Sequence, residues 1–177
     1  MTWTTFHHRG DVLRAVTATA DERRDGLLPM DVDGVLETFG DELSLLGALQ
    51  LRWHTRLSGQ IERELLQRPL DLEAAVIAAW HAAADELPGT RAILDHYREE
   101  PRDEQMAFVM ATSEAKERVL LAAMAGRAGV DTAATATAGQ ALEERARQSW
   151  APTTTPAEVT GHRGPGLLGR IRAYVAA

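Results

Sequence analysis

Residues 39–87 read FGDELSLLGALQLRWHTRLSGQIERELLQRPLDLEAAVIAAWHAAADEL. Phe39, Leu43, Leu46, Gln50, Trp53, Leu57 and Ile61 recur in steps of three and four. That spacing sets them along one stripe of a helix. Gly47, Leu51, His54, Ser58, Ile61 and Leu65 form a second stripe beside it. The spacing predicts one long helix from about Asp33 to Gln67, stopped by Pro69, with a break near Gly40 as the alternative. Asp71 then caps a helix to Leu87, whose apolar stripe is Leu72, Val76, Ala79, Trp80, Ala83 and Leu87. A turn this short makes the two helices antiparallel neighbours.

The same reading extends outward. Asp11 to about Arg24 forms a first helix, ended by Asp25-Gly26. After Pro88-Gly89, Thr90 caps a short helix to Glu99, and Pro101 opens another to about Gly126. The last carries two apolar stripes: Met106, Val109, Met110, Leu120 and Met124 on one, Phe108, Ala111, Ala115, Val119 and Ala122 on the other. Ala, Leu, Glu, Arg and Gln dominate, and long β-branched alternations are missing. The expectation is an all-α fold, a bundle of four to five helices with a partly flexible C-terminal extension. Residues 1–128 form the bundle. Residues 129–165 form an Ala/Thr/Pro/Gly-rich linker with a brief helix near 140–150. Residues 166–177 form an amphipathic end.

Composition excludes several chemistries. The 177 residues contain no Cys, which removes disulfides, thiolate metal sites and thiol catalysis. The net charge is −7, and residues 1–129 hold 14 basic and 22 acidic groups. An acidic body repels phosphate backbones, so nucleic-acid binding is not expected. No apolar run approaches the ~18–20 residues that span a bilayer, so stable membrane insertion is not expected either. The N-terminus lacks the basic-then-apolar layout of a signal peptide, and a cytoplasmic location is the simplest expectation. Phosphate-binding loops, dinucleotide fingerprints, His-Glu-x-x-His and Gly-x-Ser-x-Gly are all absent, which leans away from an enzyme.

One constellation invites chemistry. Trp53-His54 and Trp80-His81 repeat a dipeptide at nearly equal distances on either side of the turn at Pro69. In an antiparallel hairpin, equal distance from the turn means equal height. Trp53 and Trp80 could then wall a cofactor, the identity of which the sequence does not give. His54, His81 and Asp85, one turn beyond His81, could ligate a metal or haem, with Glu62, Glu64 or Glu117 completing the set. Against this stands ordinary packing: Trp at core spacing is usually core. A His beside it points about 100° away, to the bundle margin. The Glu-x-x-His pair that marks helical di-metal sites is missing.

The acidic loop Asp21 to Val32 echoes a calcium loop, but Arg23 stands at its third position and Val32 where a bidentate Glu is needed. At the other end, Leu167, Leu168, Ile171 and Tyr174 share one face of a short basic segment. That face suits docking on the bundle, or capture of a protein partner as a helix in a groove. The leading expectation is a binding or assembly protein, through a protein partner or self-association as a homodimer. A metal- or haem-binding bundle is the alternative.

Overall fold

A computed structural model describes residues 3–151, and every described element is helical. The helices are α1 (Trp3–Arg23), α2 (Val35–Phe39), α3 (Glu42–Gln67), α4 (Leu72–Glu86), α5 (Pro88–Glu99), α6 (Glu104–Met124) and α7 (Thr132–Ser149). The C-terminal face of Leu167, Leu168, Ile171 and Tyr174 lies outside the described residues.

Local chemistry sets the boundaries. Gly40 has φ 81°, a left-handed value that ends α2. Asp41 then starts α3 afresh, its carboxylate accepting from Ser44 N–H at 2.7 Å. The long helix expected over 33–67 is therefore two helices meeting at Gly40. Asp71, Asp103 and Asp131 cap α4, α6 and α7 in the same manner. Such caps contribute about 1 kcal/mol each. Asp103 supersedes Pro101 as the start of α6. Thr90 is no cap: α5 begins at Pro88, where a missing N–H costs nothing, and Thr90 is buried inside it.

Leu45, Leu46, Leu49, Trp53, Leu57 and Ile61 of α3 are fully buried with Val76, Ala79, Trp80 and Ala83 of α4. Each fully buried large apolar side chain stabilises by roughly 1.5–3 kcal/mol, well above the few tenths that helix propensities contribute. The α3–α4 hairpin packs against α6, and α5 closes one side. α1 lies chiefly on α5. Their approach is closest at Gly89, where an added Cβ would meet the backbone of Ala20 and Asp21.

The main departure from expectation is α7. It runs for 18 residues, starts at Thr132 and packs along α6 and α4. Its buried residues are Thr135, Gly139, Leu142, Glu143 and Ala146. Gly139 crosses directly over the carbonyl of Arg118 on α6, with no room there for a Cβ. The sequence hides this helix because its inner face is small and polar, with Leu142 as the one large apolar residue.

Candidate functional site

The two Trp-His pairs lie on facing turns of α3 and α4, as counting from Pro69 anticipates. Trp53 and Trp80 meet edge to face, with ring centroids 5.7 Å apart and planes at 74°. Trp150, just past α7, extends the series, its ring 5.7 Å from that of Trp80 and tilted 81° to it.

The two indoles converge on a carboxylate. Glu117 of α6 is 4% exposed, and accepts Trp53 Nε1–H at 3.0 Å and Trp80 Nε1–H at 3.4 Å. His54 Nε2 lies 3.5 Å from Glu117 Oε2, and Arg91 Nη1 lies 3.9 Å from Oε1. Arg91 is 2% exposed. Its guanidinium also covers the Trp53 ring at 4.7 Å, a cation–π contact that partly replaces lost hydration. Burial alone would push the Glu117 carboxyl up. The His54 hydrogen bond, the Arg91 charge and the Trp53 N–H outweigh it and hold the carboxyl down to about 2.

From Arg91 a chain of charges runs to α7. Arg91 Nη2 donates to Asp95 at 2.7 Å, and Arg147 donates to Asp95 and Glu143 at 2.9 Å each. Glu143 also accepts from Arg98 at 2.9 Å and Arg118 at 3.0 Å. Arg147 covers the outer face of Trp80, 5.3 Å from its centroid. Burial opposes ionisation of Asp95 and Glu143, but the Arg91 charge for the first and the Arg98 charge for the second leave both acids below their usual range. Charges removed from water this far are retained only when paired in this way.

The candidate ligands do not come together. His54 turns to Glu117. His81 Nε2 lies 2.8 Å from the carbonyl of Ala146, and Asp85 accepts Trp150 Nε1–H at 3.0 Å. Their directions differ because neighbouring helix positions diverge by about 100°, so sharing a layer does not make two His face each other. Among the described residues, no group of three His, Asp or Glu side chains is placed to hold a metal ion. Trp53 and Trp80 contact each other and Glu117, leaving no slot between them for a flat cofactor. The space beside Arg91, His54 and Glu117 is about 10 Å³, which suits about one water molecule and no substrate. The calcium-loop echo resolves as an ion pair: Arg23 grips Asp31 through two bonds of 2.8 and 2.6 Å.

Sequence reasoning missed Arg91, Asp95, Glu143, Arg147 and Trp150. Two weak signals were present, Arg91/Asp95 and Glu143/Arg147, both opposite charges one helical turn apart. That spacing is ordinarily a solvated pair, and nothing in it reveals burial. The chain's similarities give no further guide: no protein-family model, curated protein or solved structure matches it.

Proposed function

We propose that this protein acts by binding, and that the outer face of α6 is its contact with a second copy of the chain. One observation carries the reading. Phe108 and Val119 are 72% and 48% exposed, and lie on one line of α6 with the exposed Ala111 and Ala115 between them. The inner face of the same helix is already used, by Met106, Met110, Glu117 and Leu121. A helix that is apolar on both sides, with one side still in water, favours an interface. Its order also suits a two-fold contact. An antiparallel copy would bring Phe108 towards Val119 across the axis, with the small Ala111 and Ala115 at the crossing, so one patch complements itself.

The test is sedimentation equilibrium of the full chain over a concentration series, with Phe108→Glu and a control, Leu66→Glu, at an exposed leucine near the end of α3. A dimer weakened ~10-fold or more by the first change and untouched by the second supports the reading. A monomer up to ~1 mM overturns it. So does a dimer that survives Phe108→Glu and disappears when residues 161–177 are removed, which would move the contact to the C-terminal segment.

A further inference from the structure

On another side of the molecule, α1 and α3 are held apart by an open groove of about 650 Å³. That volume is within the range of small-molecule sites. Four arginines line it: Arg9 from α1, and Arg52, Arg56 and Arg63 from α3. In a chain with net charge −7, this is a local reversal of sign. A cleft lined by one charge focuses its field on ligands of the other.

The arginines are not all spent on internal partners. Arg56 Nε holds Glu86 at 2.8 Å. Arg9 donates to the carbonyl of Thr38 at 3.1 Å and covers the Phe39 ring at 4.4 Å. Arg52 and Arg63 make no side-chain hydrogen bond or ion pair among the described residues, and Arg52 Nε is buried without a partner. Asp21 feels the Arg52 charge but accepts the backbone N–H of Gly89 at 2.8 Å. Between the guanidinium groups the wall is apolar, with Leu13 half-buried and Leu51 68% exposed. Gly59 also lines the groove, and a Cβ there would touch nothing within 4 Å. A helix-interior glycine usually costs stability against alanine, and packing within the described chain does not require this one.

The geometry points to the α1–α3 groove as a binding site for a single-chain anionic amphiphile. Its phosphate or carboxylate head is held by Arg52, with Arg56 one helical turn away, and its apolar body lies along Leu13 and Leu51 towards Gly59. The planar guanidinium fork suits either head through paired charge-assisted hydrogen bonds. The open space at Gly59 gives the body its room. The groove shares no lining residue with the Phe108–Val119 face, and Leu51 alone borders both it and the α3–α6 depression beside Phe108.

The experiment is isothermal titration of the full chain with dodecyl phosphate and with dodecanoate, each below its micelle concentration. Inorganic phosphate, dodecanol and phosphatidylglycerol vesicles are run beside them. One equivalent of dodecyl phosphate or dodecanoate is expected, and the stronger of the two identifies the head. Dodecanol and inorganic phosphate should each bind ~10-fold or more weakly. Arg52→Gln should weaken the amphiphile ~10-fold or more, since it removes charge-assisted bonds, and Arg63→Gln, about 16 Å further along α3, should weaken it less. Gly59→Leu should fill the groove and block binding, its Cβ entering space with nothing within 4 Å. Equal binding of dodecanol, equal binding of inorganic phosphate, or binding to vesicles alone would each overturn the assignment. So would a Gly59→Leu variant that binds unchanged.

Discussion

Trp53 and Trp80 stand on different helices 5.7 Å apart, and both direct their indole N–H groups to the carboxylate of Glu117 on a third. One buried acid therefore ties α3, α4 and α6 together, and Arg91 brings in α5. Removing that acid should be costly.

Glu117→Ala leaves two indole donors without their shared acceptor and the Arg91 guanidinium without one of its two counter-charges. Breaking one side of a buried ion pair costs about 3–5 kcal/mol. In a chain of this length the melting temperature should fall by about 10 °C or more. The charge is the main cause if Arg91→Met, added to Glu117→Ala, recovers part of the loss in urea unfolding. A strictly additive double mutant would show that the two residues do not interact.

Acid should unfold the protein through the same cluster. The folded-state Glu117 carboxyl is held near 2, below its unfolded value of 4.5. A depressed folded value means the stabilisation is fully present above the unfolded value and is lost as pH falls towards 2. Asp95 and Glu143 are depressed too and act in the same direction. Urea midpoints measured from pH 6 to 2.5 should fall steeply below about 4.5. A flatter profile is expected in Glu117→Gln, and profiles that superimpose would count against Glu117 as a source.

Two glycines should answer to alanine with opposite signs. At Gly139 the new methyl group meets the Arg118 carbonyl, so α7 must lift from α6. Overpacking of this kind costs about 1–3 kcal/mol or more. Hydrogen exchange along residues 132–149 should accelerate. At Gly47 a methyl group meets nothing within 4 Å, and helix propensity alone predicts a gain of about 1 kcal/mol. A destabilised Gly47→Ala would reveal a close neighbour at that face.

His81→Ala removes the contact with the Ala146 carbonyl and should cost about 1 kcal/mol, the worth of an ordinary hydrogen bond. Exchange should quicken at the end of α7. Elemental analysis of untagged wild type and of His54→Ala should show the same metal content, because the two histidines serve separate partners. Loss of an equivalent of metal in either His variant would restore the metal reading.

The parts legible in the sequence are those that follow from apolar period and turn chemistry. The stripes of α3 and α4, with the stop at Pro69, were enough to put Trp53 and Trp80 in one layer. Their neighbours His54 and His81 were not legible in the same way. A register count fixes height along a helix but leaves the direction of a side chain to the whole packing. Arg91 and Glu143 carry no mark of burial in the sequence, and Glu117 stood there only as one of three acids that could complete a metal site, because burial of an ion depends on partners far away in sequence. α7 fails for a related reason: Thr135, Gly139 and Glu143 pack well only against the particular surface that Arg118 and the α4 turn at His81 provide.

The edge-to-face series Trp53–Trp80–Trp150 also has an optical consequence. Chromophores this close and this steeply inclined couple their transitions, so the near-ultraviolet circular dichroism should carry a signal of paired indoles. Trp150 belongs to that series only while α7 is seated, with its N–H on Asp85. Peeling of α7 would therefore change the dichroism before the Trp53–Trp80 pair separates, and detachment of this one helix can be followed by light without any added label.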